Sequence, residues 1–167
     1  MKNLYVKQKI FSAGEKFTIT DDEQNVHYYV QGSLFSAPKT FELKDRSQQT
    51  VATITKKILA FLPKFIVETN DQLTVEIKKD FSILKPHYTF SPQSITVEGD
   101  IFAMNFTILE HNVEIASIHK QWLSWGDTYE ISMSQQAAQD QAHEQLIVAL
   151  VVAIDYIKAQ AQNSSLY

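Results

Sequence analysis

The sequence predicts a mainly β protein: about twelve antiparallel strands closed into a barrel around a buried hydrophobic helix near the C-terminus. Three observations lead there. The first is the run Leu146–Ile154, nine uninterrupted apolar residues followed by Asp155-Tyr156-Ile157. A helix that is apolar on every side must be enclosed, and nine residues fall well short of the roughly 20 that cross a bilayer. The second is a repeat. Ile10-Phe11-Ser12-Ala13, Leu34-Phe35-Ser36-Ala37 and Ile58-Leu59-Ala60-Phe61 follow one another at a shift of 24, as do Phe17, Phe41 and Phe65. The third is period-2 alternation of β-branched and aromatic residues between polar clusters, the pattern of half-buried strands.

Taken in order, the repeat gives six units, each read as strand, turn, strand. Their aromatic anchors are Phe17, Phe41, Phe65, Tyr88, Phe106 and Tyr129. Alternation is plain in Leu73-Thr-Val-Glu-Ile-Lys, Ser94-Ile-Thr-Val-Glu and Val113-Glu-Ile-Ala-Ser-Ile. The polar clusters at 21–25, 45–49, 70–72 and 110–112 are turn chemistry. Twelve up-and-down strands, at about 3–133, need closure to hide their edges. A barrel of that width is not filled by its own side chains, so the apolar helix is its plug. The helix is expected over about 137–161, with Ser134 as N-cap or with Gln135–Gln141 as a frayed lead-in, and then a short tail. Asp140 and Glu144 before it and Lys158 near its end suit the helix dipole. One domain over 1–167 is expected.

Composition sets outer bounds. Hydrophobic residues make up 44% and charged residues 20%, which excludes wholesale disorder. The absence of cysteine excludes disulfides, thiolate metal sites and cysteine nucleophiles. Net charge is −4, unevenly placed: residues 1–90 carry 13 Lys/Arg and 10 Asp/Glu, residues 91–167 carry 2 and 9. A pI near 5.7 argues against nucleic acid as a partner. The start, Met1-Lys-Asn-Leu-Tyr-Val-Lys, lacks a signal-peptide core. A cytoplasmic protein is expected, peripheral at a membrane at most and not transmembrane.

Several stretches carry a resemblance: Leu34-Phe35-Ser36, Leu62-Pro63-Lys64-Phe65, Phe81-Ser82-Ile83-Leu84-Lys85-Pro86-His87-Tyr88, Val97-Glu98-Gly99-Asp100, Trp122-Leu-Ser-Trp-Gly-Asp-Thr-Tyr129 and Ala149-Leu-Val-Val-Ala-Ile-Asp155. In this order the chain resembles the LURP-one-related family of the Tubby C-terminal-like superfamily, which is related to the phospholipid scramblases. The resemblance implies a twelve-stranded barrel around a C-terminal helix, as the repeat does. It also implies a short acidic run before the helix, where this chain has Gln135–Gln145 with Asp140 and Glu144 alone. Tubby relatives bind phosphoinositide head groups through basic residues; no motif here carries those residues over.

The residues leave one candidate binding site. Lys56, Lys57, Lys64, Lys78, Lys79 and Lys85 cluster in the third and fourth units. Such a group suits an anionic head group or a phosphorylated ligand. Against it, Glu68, Asp71, Glu76 and Asp80 are interspersed, and alternation sends Lys56 and Lys57, and likewise Lys78 and Lys79, to opposite faces. The five histidines lack metal-ligand spacing, although Asp140, His143 and Glu144 share a helix face. Trp122 and Trp125 read as core and turn residues or as an interfacial pair. Asp155, inside the apolar run, needs a partner or a wet rim. With no Gly-rich phosphate loop and no nucleophile elbow, no enzyme, cofactor or metal is expected. The expectation is a non-enzymatic binding or scaffold protein for an anionic phospholipid or phosphorylated ligand, with a protein-interaction module as the alternative.

Overall fold

The structure, a computed structural model, describes residues 1–7, 16–33, 38–57, 62–81, 87–121 and 128–164. Twelve strands run in sequence: β1 (Lys2–Lys7), β2 (Lys16–Thr20), β3 (Val26–Gly32), β4 (Thr40–Lys44), β5 (Thr50–Lys57) and β6 (Lys64–Thr69), then β7 (Thr74–Asp80), β8 (His87–Ser91), β9 (Ile95–Asp100), β10 (Asn105–Glu110), β11 (Val113–Gln121) and β12 (Thr128–Met133). Two helices follow, α1 (Gln135–Gln139) and α2 (Gln141–Ser164).

The strands form one antiparallel sheet in the order β8-β7-β6-β5-β4-β3-β2-β1-β12-β11-β10-β9. The first and last strands pair from Lys2↔Met133 to Lys7↔Thr128, which bends the sheet into a nearly closed barrel. The remaining edges, β8 and β9, are joined by the short connection 92–94, with no register of backbone hydrogen bonds between them. Tyr88 and Phe102 meet across this seam, their ring centroids 6.3 Å apart.

The six aromatic anchors share one position: each is the second residue of an even-numbered strand, from Phe17 in β2 to Tyr129 in β12. Alternation turns them inward. Five are 8% exposed or less, and Tyr88, beside the seam, is half-buried. They therefore lie at one level of the barrel and grip the helix. The Tyr156 ring sits 4.6 Å from that of Phe41 and 5.8 Å from that of Phe65, the latter edge-on.

The 24-residue shift is also written in the turns. Gln24, Gln48 and Gln72 all adopt left-handed backbone, with φ of 65°, 64° and 64°. In each turn this glutamine amide donates to the carbonyl three residues back, on Asp21, Asp45 and Thr69 respectively. This is the three-to-five-residue hairpin built on a type I turn closed by a left-handed residue. Asp21 and Asp45 also accept the amides two and four residues on, which fixes the turns locally.

Every residue of α2 from Leu146 to Ile157 is 8% exposed or less. A helix with no polar face is thus surrounded on all sides by inward side chains of the wall. Asp155 is 1% exposed, so it is not at a wet rim, and it is not without a partner.

The helix entrance differs from the single helix expected over about 137–161. Ser134 does cap, its Oγ accepting the Ala137 amide at 3.2 Å, but the helix it starts is the five-residue α1. Asp140 then breaks the run. Its extended backbone ends α1, while its Oδ1 accepts the Ala142 amide at 2.9 Å and starts α2. The Gln/Ala-rich lead-in is therefore a separate helix across the barrel mouth, and an aspartate, which favours capping geometry over helix interior, makes the corner.

Candidate functional site: a lysine-rich end of the barrel

An up-and-down barrel delivers alternate connections to alternate ends. The turns 21–25, 45–49, 70–73 and 111–112 lie at the end where α2 enters; β5, β7 and β11 finish, and β4, β6 and β12 begin, at the end where it leaves.

At the exit end, Lys57 of β5 stands directly opposite Lys64 of β6, and Lys64 directly opposite Lys78 of β7. The inward neighbours Phe65 and Ile77 are buried, so the three lysines form a row on the outer wall. Like charges directly opposite one another across a sheet oppose its formation. Glu76 relieves one of them, its Oε1 lying 2.9 Å from Lys64 Nζ. Lys57 and Lys78 form no ion pair with a described residue. Asp80, the nearby carboxylate, is held by β8: Thr89 Oγ1 donates to its Oδ2, and His87 Nδ1 lies 2.8 Å away. The Thr89 and His87 hydrogen bonds, Thr89 first, together with the charges of His87 and Lys78, outweigh desolvation and hold its carboxyl below the usual range.

Lys56 and Lys79 share the inward parity of Ile54 and Ile77. Lys56 Nζ donates to Gln160 Oε1 on α2, and desolvation there lowers its pKa. The six lysines proposed from the sequence thus divide: Lys57, Lys64 and Lys78 outside, Lys56 and Lys79 at the inner rim. Lys85 lies outside the described residues, as do Trp122 and Trp125.

Besides Lys7 and Lys16, which end β1 and begin β2, three more lysines reach the same end from distant parts of the chain. Lys39 Nζ lies 5.4 Å from the Phe41 ring centroid. Lys120 faces inward two residues beyond the buried Ile118. Lys158 on α2, 7% exposed, donates to the Tyr129 hydroxyl at 2.7 Å. Sequence clustering missed them because they belong to other units. Their parity with Phe41 and Ile118 was the available signal.

The entry end is polar in a different way. Glu144, 5% exposed, is bound through both oxygens by Lys2 Nζ and accepts the Tyr28 hydroxyl at 2.9 Å. Burial, then the Glu144 charge and hydrogen bond, push that hydroxyl far above its ordinary pKa. These groups line a cleft of about 340 Å³ with Arg46 and His27. Across the mouth, His143 is held by Asp140 Oδ2 at 2.6 Å on Nδ1 and by Glu110 Oε2 at 3.1 Å on Nε2. Both ring nitrogens are therefore engaged by carboxylates, and Glu144 spends both oxygens on Lys2. The arrangement locks the helix entrance to β1, β3 and β10. Among the described residues no three His, Asp or Glu side chains are placed to hold a metal ion.

The fold defines a class, a twelve-stranded antiparallel barrel wrapped around a buried C-terminal helix, with a lysine row on its wall. A family profile described as LURP-one-related matches residues 2–155, and the chain belongs to that family. The uncharacterized protein YxjI of Bacillus subtilis (strain 168) is 25% identical over 169 residues, covering all of both chains. The X-ray structure of the Arabidopsis thaliana protein AT5G01750 superposes with a TM-score of 0.63 at 16% identity, over 93% of this chain and 90% of that one, a likeness of fold. No helix among the described residues is long and apolar enough to cross a membrane.

Proposed function

We propose that the protein is a non-catalytic binding protein that takes a phosphate-bearing anion, a lipid head group or a phosphorylated ligand, at its outer lysine row. The observation that carries this reading is the direct opposition of Lys57, Lys64 and Lys78 on three adjacent strands, with Glu76 the one carboxylate paired to them among the described residues. Three like charges in register raise the energy of the empty wall, and an anion laid across them removes that repulsion. The groups at the entry end support the same reading, because their carboxylates and His143 are committed to one another.

The test is binding of the triple variant Lys57→Glu/Lys64→Glu/Lys78→Glu to phosphatidylserine or phosphoinositide vesicles and to soluble inositol phosphates. Loss of binding with an unchanged melting curve is the expected result. Binding equal to the wild type in both arms overturns the proposal and directs the search to a protein partner.

A further inference from the structure

Among the described residues, every neighbouring pair in the ring of strands is joined by a hydrogen-bonded ladder except β8 and β9. The ladders on either side show which backbone groups face this seam. The His111 amide donates to the Ser94 carbonyl at 2.7 Å, one step beyond the β9–β10 pair Ile95↔Glu110. Bonded and non-bonded pairs alternate along an antiparallel ladder. Thr96 and Glu98 therefore turn their N–H and C=O toward β10, and Ile95 and Val97 turn theirs toward the seam. The Ile95 amide donates to the Pro92 carbonyl at 3.1 Å, which leaves the Ile95 carbonyl and both groups of Val97. On the other side, the Lys79 amide donates to the Pro63 carbonyl at 3.1 Å, one step beyond the β6–β7 pair Lys64↔Lys78. Lys78 then bonds toward β8, and the alternation leaves Tyr88 and Phe90 facing the seam. No backbone hydrogen bond joins the two rows among the described residues. A cavity of about 350 Å³ opens between them, its lining including Tyr88, Thr89, Phe90, Ile95, Thr96 and Val97.

Two facing strand edges are a template for a further strand. An acyl chain or a phosphate cannot satisfy alternating backbone donors and acceptors, whereas a second backbone can. The charge around the seam selects which one. Between Lys85 and Lys120 the sequence has no lysine or arginine, while Glu98, Asp100, Glu110 and Glu114 fall in that stretch. Glu98 and Asp100 are exposed, on the outward parity of β9. Asp100 Oδ1 accepts the Phe102 and Ala103 amides at 3.0 and 2.9 Å, so Glu98 is the carboxylate left for a neighbouring strand. Lys78 lies on β7, two strands from the seam, which is about 9–10 Å and close to a Debye length. Glu98 on the adjacent strand outweighs it. Pairing with a second copy is disfavoured, because it puts the Glu98 and Asp100 carboxylates of both copies on one face.

We propose that the seam between β8 and β9 takes an extended basic segment of a partner protein as an added strand. Its backbone bonds to Val97 and to the facing row of Tyr88 and Phe90, and its lysine or arginine side chains lie beside Glu98. The segment is short, since the connection 92–94 bounds the gap at the entry end and the Tyr88–Phe102 ring contact bounds it toward the other. This site is separate from the lysine row, and either reading can fail without the other.

The test uses the full chain and a short fluorescent peptide of alternating arginine and valine. Two control peptides accompany it, one with alternate backbone amides N-methylated and one with glutamate in place of arginine. The parent peptide is expected to bind and both controls to fail. Glu98→Lys should weaken binding roughly fivefold. In NMR hydrogen exchange, the peptide should slow the Val97 amide together with that of Tyr88 or Phe90. The outer-row triple variant should bind the peptide no more weakly than the wild type, and its loss of vesicle binding alone leaves the seam standing. Equal binding of the N-methylated peptide shows an ionic contact without strand addition and overturns the proposal. Binding that leaves these amides unprotected places the peptide elsewhere and overturns it too. No binding of the parent peptide refutes a basic strand at the seam. Melting curves matching the wild type accompany every variant.

Discussion

Lys2 Nζ lies 2.8 and 2.7 Å from the two carboxylate oxygens of Glu144, 142 residues away in the sequence. The contact ties the first strand to the start of α2, so the wall and its plug are joined at the mouth where the helix enters. The carboxylate is 5% exposed and has one further partner, Tyr28. Removing Lys2 leaves a buried charge with a single hydroxyl. Lys2→Ala should cost about 1–3 kcal/mol, and Lys2→Ala/Glu144→Gln should cost less than the sum of the two single changes. Urea denaturation of the four proteins measures the coupling.

His143 predicts a pH dependence. Partial burial works against its charge, but Asp140 and Glu110 outweigh that and raise its pKa above the ordinary value of 6.5. The cleft beside it also holds His111 and Glu114, the latter another carboxylate. A group raised in the folded state stabilises fully below its unfolded pKa, and that contribution is lost as pH rises through the folded value. Stability should therefore fall as pH rises past the ordinary histidine value of about 6.5, and His143→Gln should flatten this slope. Thermal melts on either side of that value decide it; an unchanged slope in the variant removes His143 as the source.

Asp21 gives the acid-side counterpart. Desolvation acts to raise its pKa, but the His27 ring and the Asn25 and Glu23 amides lower it to about 2. A depressed carboxylate stabilises above its unfolded value and loses that contribution as pH falls through the folded one. Its side-chain NMR titration should have a midpoint near 2, and His27→Ala should move that midpoint upward.

The three left-handed glutamines make a stability prediction. A side chain in that conformation costs about 1–2 kcal/mol, from which the added unfolded-state freedom of glycine takes back part. Gln24→Gly, Gln48→Gly and Gln72→Gly should each stabilise by about 0.5–1 kcal/mol. The turns are separate, so the effects should add. A glycine variant that lowers the melting temperature contradicts this account of the turns.

The helix core should respond most strongly. Ile154 is 0% exposed and surrounded by the wall on every side. Ile154→Ala should cost about 2–5 kcal/mol and Ile154→Val about 0.5–1.5 kcal/mol, read from denaturant midpoints.

Much of this fold is legible in the sequence, because the repeat has a physical meaning. An aromatic every 24 residues is an aromatic at the same height on every second strand, as Phe17, Phe41 and Phe65 show. An all-apolar helix demands an enclosure, and Leu146–Ile157 has one. The corner at Asp140 was harder. Gln135–Gln141 is compatible with helix throughout, and the break comes from fitting α1 across the mouth before α2 turns inside. The candidate site was half legible. Alternation correctly split Lys56 from Lys57 and Lys78 from Lys79. Registers between strands, which put Lys57, Lys64 and Lys78 in one row, are set by turn geometry that a charge count does not contain. Charge read as a basic first half and an acidic second half was a projection: a zigzag chain sorts its residues by end of the barrel.

The order of synthesis gives the C-terminal position of α2 a further consequence. Every strand leaves the ribosome before the element its inner face packs on, and β12, the partner of β1, is the last strand made. Until residue 157 emerges, Phe41, Phe65 and Ile77 have no helix to cover them. A nascent chain at that stage is a sheet with an apolar face and two open edges, the species most exposed to aggregation. Closure of the barrel then waits for arrival of the plug. A chain stopped short of α2 is expected to be recovered as aggregate, not as a hollow barrel.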